Sequence, residues 1–293
     1  MTDPEPWIAQ VSKIVPLHLS EAVPVRVGVK TIDEVQSRPV FSMHFEVEIS
    51  VMLRGAKRIV HEGGERIYRA GEARFSGIWE PHGGQAVSAP CQELLILLWP
   101  PMLARLAFEE APHVDWLGSF QLPFLERPPR PVGYEEEMEI LVGRLLDWVS
   151  RGRPESARPR LYVLALLELF ARRQSSPTGR ENSTPLFNSI GPAINLVFKS
   201  RRLVTGAEAA RACGMSRGHF CRVFQKAMQV SFGQFALRYR VHGAAEQIAG
   251  TDLAVKTVSG EWGFSDPSHL HHLMQRYYGC TPTDYRKQRQ ESP

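Results

Sequence analysis

The last hundred residues repeat themselves, and that repeat constrains the fold more than any other feature of the chain. His219-Phe-Cys-Arg-Val-Phe-Gln-Lys226 aligns with His269-Leu-His-His-Leu-Met-Gln-Arg276 at a constant offset of 50, keeping Phe220/Leu270, Val223/Leu273 and Phe224/Met274 in register. Upstream, Ala210-Arg-Ala-Cys-Gly214 aligns with Ser259-Gly-Glu-Trp-Gly263 at an offset of 49, so the second copy has one extra residue in its turn. A helix, a glycine turn and a second helix, written twice, make a duplicated helix-turn-helix pattern. Local chemistry supports each element. Thr205-Gly-Ala-Glu208 is a capping-box sequence, Ser216 is placed to cap the second helix of copy one, and Asp266 followed by Pro267 does the same in copy two. Gly214 and Gly263 supply the positive φ that the turns require. Ala254, at the start of copy two, has no side chain that can cap. Gly233–Ala249 reads as a connecting helix buried through Phe235, Tyr239, Ala245 and Ile248, and Ser189–Ser200 as a leading helix with Ile190, Ile194, Val197 and Phe198 inward.

Charge divides the chain in the same place. Residues 186–293 carry 14 Lys and Arg against 7 Asp and Glu, whereas residues 1–185 carry 21 against 24. A basic third on a mildly acidic body indicates a polyanion-binding module joined to something else. The length of 293 residues fits about two domains at roughly 150 residues each. Four scattered cysteines (Cys91, Cys213, Cys221, Cys280) match neither a disulfide framework nor a CxxC metal site, so reduced thiols are expected. No apolar run approaches the ~20 residues that span a bilayer, and the acidic Met1-Thr-Asp-Pro-Glu-Pro start is unlike a targeting peptide. A cytoplasmic protein without membrane association is expected. No Ser-His-Asp, P-loop or nucleotide-binding glycine pattern occurs, and the chain is read as a non-enzyme without a cofactor.

Residues 1–105 read as short strands with turn punctuation. Arg26–Thr31, Phe45–Leu53, Arg58–Val60, Arg66–Tyr68, Arg74–Phe75 and Leu94–Trp99 are β-rich and separated by Gly, Pro and Asp, with Gly55, Gly63-Gly64 and Gly71 at hairpin positions. So many short strands point to a barrel or jelly roll. The stretch from Leu53-Arg-Gly through Ala70-Gly to Trp79-Glu-Pro-His82 resembles the half-barrel of a cupin, which often holds a metal through histidines and a carboxylate. The available set here is His44, Glu46, Glu48 and His82, but Glu46 stands where the second histidine of the usual His-x-His would be. The expectation is therefore no metal, and a pocket for a small organic effector lined by Trp79, His82, His44 and Glu46. Residues 106–173 switch to helical periodicity. Tyr134–Arg151 places Met138, Leu141, Leu145 and Trp148 on one stripe, and Leu161–Arg173 places Leu161, Leu164, Ala165, Leu167, Glu168 and Ala171 on another. These helices complete the domain core and are a candidate dimer interface. Residues 174–187 are a polar linker, and residues 188–293 hold the repeat.

Residues 190–288 resemble the DNA-binding domain of AraC/XylS-type transcriptional regulators. Trp262-Gly-Phe-Ser-Asp-Pro-Ser-His through Gly279-Cys-Thr-Pro-Thr-Asp-Tyr-Arg286 follows the family pattern through most of its length, as do Ser216, Phe224, Arg240 and Ala244 upstream. Ser259, His271, His272 and Gly218 depart from it, which bears on which bases are read. The resemblance implies a cupin-like effector and dimerisation domain at the N-terminus. The expected fold class is thus α+β multidomain: a cupin-like β-barrel with accessory helices, then an all-α domain with two helix-turn-helix motifs. The outward faces of the second helices carry Arg217, Gly218, Cys221 and Arg222 in copy one and Ser268, His271 and His272 in copy two, for base contacts in the major groove. Lys226, Arg276, Arg286 and Arg289 suit phosphates. A metal on His269, His271 and His272 is disfavoured because i, i+2, i+3 spacing does not converge. Expected partners are double-stranded DNA, a small-molecule effector (a sugar among the candidates), a second copy of the chain, and RNA polymerase. Two alternatives stay open: a cupin enzyme using a metal at His44, Glu48 and His82, and a regulator whose barrel serves protein contacts only.

Overall fold

The computed structural model describes residues 17, 19–61, 64–106, 108–110, 114–152, 157–171, 186–228 and 230–290. They fall into two compact units, one within residues 19–183 and one containing residues 184–293. Most of the expected linker, residues 174–185, lies outside the described residues.

The N-terminal unit has eight strands: β1 (Val25–Ile32), β2 (Val40–Ser42), β3 (Val47–Arg54), β4 (Ala56–His61), β5 (Gly64–Arg69), β6 (Ala73–Ser76), β7 (His82–Ala86) and β8 (Cys91–Leu98). They form two four-stranded antiparallel sheets, ordered β1-β8-β3-β6 and β2-β7-β4-β5. A core cluster of Met52, Ile59, Tyr68, Ala86, Cys91 and Phe124 draws on both. The six strands read from the sequence are all present. The two it lacks are β2, only three residues long, and β7, whose His-Gly-Gly-Gln-Ala sequence has poor strand propensity. Packing explains those glycines: a Cβ at Gly83 would lie 2.4 Å from the Phe41 ring and one at Gly84 would lie 2.6 Å from Lys57 Cε.

Strand β3 sits between β8 and β6, and its first six residues are buried. Alternation sends Val47, Ile49 and Val51 to one face and Glu48 and Ser50 to the other. On the apolar face, Phe75 of β6 meets Phe170 at 4.8 Å and Phe120 at 5.4 Å between ring centroids. Helices α1 (Pro100–Leu103), α2 (Glu135–Ser150) and α3 (Arg158–Ala171) follow the sheets. In α2 the buried positions are Met138, Val142 and Leu145, with Leu141 and Trp148 half-buried. In α3 the expected stripe is rotated. Val163, Leu166, Leu167, Leu169 and Phe170 are buried, whereas Leu161 is 60% exposed and Ala165 is exposed. Leu161–Phe170 is apolar almost all round, so its sequence carries little phase information, and the Phe170–Phe75 contact sets the face instead.

The C-terminal unit contains α4 (Leu186–Phe198), α5 (Gly206–Ala212), α6 (Arg217–Met228), α7 (Phe232–Gly250), α8 (Val255–Glu261), α9 (Pro267–Tyr278) and α10 (Pro282–Gln290). The repeat survives folding closely: α5 and α8 have 7 residues each, and α6 and α9 have 12 each. Gly214 and Gly263 take φ of 64° and 66° in equivalent turns. The Thr205 hydroxyl accepts from Glu208 N at 3.2 Å while the Glu208 carboxylate accepts from Thr205 N at 2.8 Å. A second capping box, Ser231 with Gln234, starts α7, and Ala254 leaves α8 without a side-chain cap.

Candidate nucleic-acid interface and effector cavity

Each second helix of the repeat buries an apolar stripe and leaves its other face to solvent. In α6, Phe220 and Phe224 are fully buried, and Phe224 packs against Phe220, Phe232 and Phe235 at 5.2–5.5 Å between centroids. In α9, Leu270 and Met274 take the equivalent places, with Leu273 and Tyr277 beside them. Ser216 Oγ accepts from His219 N at 3.4 Å, and Asp266 Oδ1 accepts from His269 N at 2.9 Å. That backbone bond holds the Asp266 carboxyl below its usual pKa. The copies thus begin their exposed helices by the same device at the same offset.

The exposed faces contain most of the residues expected to meet DNA. Arg217, Gly218, Cys221, Arg222 and Lys226 are exposed on α6. Ser268, His272 and Arg276 are exposed on α9, and His271 is half-buried with its ring 6.1 Å from that of His272. Arg217 and Arg222 make no ion pair among the described residues. Arg286 departs from its expected phosphate role. Its Nε donates to the Ile248 carbonyl at 2.9 Å and a second nitrogen donates to the Leu253 carbonyl, so it ties α10 to the end of α7. The side chain of Arg289 lies outside the described residues.

Helix α7 joins the two copies, and its 19 residues span about 28 Å at ~1.5 Å per residue. Arg240, 5% exposed, donates through Nε to the Trp262 carbonyl at 2.8 Å and through a second nitrogen to the Gly263 carbonyl, and lies 4.3 Å from the Phe264 ring centroid. Trp262 Nε1 donates to Gln247 Oε1 at 2.7 Å. The turn of copy two is therefore pinned to the connecting helix, which the sequence reading registered only as a family match at Arg240.

The N-terminal unit encloses a polar cavity of ≈ 160 Å³ between its sheets. Its wall includes Glu48 of β3, Lys57 of β4, Arg74 of β6, His82 of β7 and Glu93 of β8, with Ile59 and Leu95 between them. Strand register makes it, by turning the charged phase of several strands inward. Glu48 pairs with Arg74, and Lys57 with Glu93. Ser50 Oγ donates to Glu93 Oε2 at 2.5 Å. Burial alone would raise both carboxyls. The Arg74 charge outweighs it at Glu48, which stays well below the ordinary carboxylate range, and the Lys57 charge outweighs it at Glu93. Burial pushes the Lys57 amine down and the His82 imidazole down to about 3. At His44 burial is outweighed by the hydrogen bond and charge of Glu48, and its pKa rises. A larger cleft of ≈ 220 Å³ between β3 and α2 is lined mainly by apolar residues such as Met138, Val142 and Leu146. Its charged lining residues are Arg130, Glu135 and Glu139, fewer than the six titratable side chains that line the smaller cavity.

Of the four residues expected to line an effector pocket, His82 is in the wall of this cavity and the other three are not. Trp79 is 2% exposed and packs on Phe45 at 5.0 Å, with φ of 49°. Its amide donates to the His44 carbonyl at 2.8 Å. Glu46 is fully buried just before β3 and accepts from Leu19 N at 3.4 Å. His44 sits behind Glu48, with Nε2 3.2 Å from Oε2. Arg74, Lys57 and Glu93 were missed. Their signal is a charged residue on the inward phase of an otherwise apolar strand, clearest in Cys91-Gln-Glu-Leu-Leu-Ile-Leu-Leu98.

The fold and sites define a two-unit chain whose C-terminal part is a double helix-turn-helix domain. Residues 209–288 match the helix-turn-helix domain family. Among curated proteins, the chain is similar to an uncharacterised HTH-type transcriptional regulator of Haemophilus influenzae, 30% identical over 80 residues (27% of each chain). It is also similar to the uncharacterised HTH-type transcriptional regulator YdiP of Escherichia coli, 26% identical over 129 residues (43% of this chain and 42% of that one). These likenesses span well under two thirds of either relative. Among solved structures, an apo form of ToxT from Vibrio cholerae shares the fold with a TM-score of 0.51 at 10% identity, over 90% of this chain and 97% of that chain. No helix of the described residues is long and apolar enough to cross a membrane.

Proposed function

We propose that the chain is a sequence-specific DNA-binding regulator of transcription, working in the cytoplasm, whose activity is set by a small polar molecule held in the N-terminal cavity. The observation that carries it is the pair of matched helix-turn-helix units, each ending in a capped helix with a solvent-facing polar or basic side. We assign the effector module to residues 1–105 with the helices to 173, and the DNA-binding module to 188–293. Two recognition helices on one chain suit successive major grooves about 34 Å apart, or closer on bent DNA. The walls of the cavity converge three cations (Lys30, Lys57 and Arg74), two carboxylates and a histidine on a small volume, which favours a compact ligand with several hydrogen-bonding groups over a long apolar one. Binding of that ligand shifts DNA affinity by its differential affinity for two states of the chain, a role that needs no turnover. Exposed Ile140 on α2 and Leu161 on α3 fit a homodimer contact.

Arg222 tests the DNA-reading part. Exposed on α6 and without an ion pair among the described residues, it suits bidentate donation to a guanine edge. Arg222→Ala should weaken binding to the chain's preferred site by about 1–3 kcal/mol and relax one base position, with little effect on random DNA. Equal losses on both, measured by fluorescence anisotropy at fixed salt, would move Arg222 to a phosphate contact.

A further inference from the structure

The two copies of the repeat match in length, capping and buried stripe, but they differ at the centre of the face each turns to solvent. At the constant offset of 50, Arg217 aligns with Pro267, Cys221 with His271 and Arg222 with His272, whereas Gln225/Gln275 and Lys226/Arg276 keep their type. Helix α6 therefore carries three permanent cations, Arg217, Arg222 and Lys226, and α9 carries one, Arg276. Where α6 has Cys221 and Arg222, α9 presents two adjacent imidazoles, His272 exposed and His271 half-buried, with ring centroids 6.1 Å apart. Core packing does not account for the pair, because Leu270, Leu273, Met274 and Tyr277 make the buried stripe of α9.

The charged and titratable groups on the elements around α9 are engaged elsewhere. Asp266 accepts from His269 N at 2.9 Å, and the His242 ring of α7 bonds the Tyr278 hydroxyl at 3.1 Å. Glu246 of α7 accepts from the Tyr285 hydroxyl at 3.1 Å, and Glu261 of α8 accepts from Arg201 and Gln247. The guanidinium groups of Arg238 on α7 and of Arg276 lie 5.9 and 5.7 Å from the Tyr277 ring centroid, Lys256 of α8 is exposed, and Asp284 of α10 bonds Thr281. Neither His271 nor His272 has an ion pair among the described residues. Imidazole is the side chain that ordinarily gains its charge between pH 5 and 8, and the phosphates of a bound duplex supply the anionic field that favours the charged ring. A neutral imidazole offers one donor and one acceptor, and a charged one offers two donors. The major-groove edge of guanine is two acceptors, N7 and O6, so a proton changes which base α9 can read. Arg222 undergoes no such change, because a guanidinium stays charged. We propose that copy one reads its half-site through Arg222 regardless of pH, and that copy two, through His271 and His272, reads its half-site in a proton-dependent way and gains preference for guanine as pH falls through neutrality. The proposal deepens the DNA-reading account and rests on it.

The test uses the full chain and random duplex DNA, from which sites are selected at about pH 6 and at about pH 8. Base positions whose preference disappears in an Arg222→Ala chain mark the half-site of copy one. Those positions should be enriched alike in both pools, whereas the other half-site, about one helical turn away, should gain guanine in the acid pool alone. Affinity of the wild type for the acid-selected site should rise about tenfold from about pH 8 to about pH 6, with a steeper salt dependence at the lower pH because added cationic contacts displace counterions. In a His271→Gln/His272→Gln chain, which keeps hydrogen bonding without titrating, the rise should be no more than about twofold. His219, His242, His269 and the histidines of the N-terminal unit are common to both chains, so their titration cancels in the comparison. The wild type supplies a second readout: calorimetry in two buffers of different ionisation enthalpy should show net proton uptake on binding near neutral pH. The same pH profile in both chains, identical pools at the two pH values, or binding without proton uptake would overturn the proposal and leave DNA recognition standing. Absence of selective binding at either pH would overturn the regulator reading and this proposal together.

Discussion

Arg127→Ala should destabilise the N-terminal unit by about 3–5 kcal/mol, the cost of breaking a largely buried ion pair and leaving Glu80 only His61 Nε2 at 3.3 Å and the Gly77 amide as partners. Arg127 is 4% exposed, and it grips the Glu80 carboxylate with two nitrogens at 2.7 and 2.6 Å. It also donates to the Phe75 carbonyl at 2.8 Å and the Leu122 carbonyl at 2.8 Å. One side chain therefore fastens the segment after α1 to the end of β6 and to the turn before β7. Burial alone would raise the Glu80 pKa, but the Arg127 charge outweighs it and holds the carboxyl well below 4.5. A carboxyl depressed on folding contributes stability that is present above its unfolded pKa and lost as pH falls below it. Urea unfolding of the wild type should weaken from pH 5 downward, and the variant should start lower and depend less on pH in that range. A variant within 1 kcal/mol of wild type at pH 7 would show that the clasp contributes little.

Trp262→Ala should cost the C-terminal unit about 3–5 kcal/mol, as expected for truncating a large buried ring. Trp262 closes α8, lies on the connecting helix where a Cβ at Gly243 would come 1.9 Å from its ring, and is fixed by Gln247 and Arg240. Its loss removes the ring contact and the Gln247 bond while Arg240 still holds the carbonyls of residues 262 and 263, so copy two packs more loosely on α7 and DNA affinity should fall with the unfolding midpoint. Gly243→Ala makes the opposite change in volume at the same contact and should also destabilise, because the ring must move. A wild-type midpoint in either variant, read by thermal circular dichroism, would contradict this packing.

What the sequence made legible is what local chemistry controls. The repeat, its capping residues and its glycine turns follow from neighbours within four positions, and Thr205, Asp266, Gly214 and Gly263 do in the structure what their types demand. The cavity was far less legible. Lys57, Arg74 and Glu93 are far apart in the chain: register on β3 aligns Arg74 and Glu93 within one sheet, and the packing of the second sheet brings Lys57 to the same space. Trp79, an attractive lining residue by type, is used in the core. The phase of α3 failed for a related reason, since an apolar helix takes its face from what it meets. Arg286 shows the limit of reading charge by type: its guanidinium serves two carbonyls inside the unit.

Specific recognition of double-stranded DNA can be measured without knowing the natural operator. The full chain is used to select a site from a random duplex pool, and its affinity for that site is compared with a scrambled duplex of equal composition across a salt series. A specific regulator should prefer the selected site by at least about 10³-fold near physiological salt, with both affinities falling as salt rises because basic contacts release counterions. Equal affinity for the two duplexes at every salt concentration would contradict it, and would leave the basic helices as a nonspecific polyanion surface.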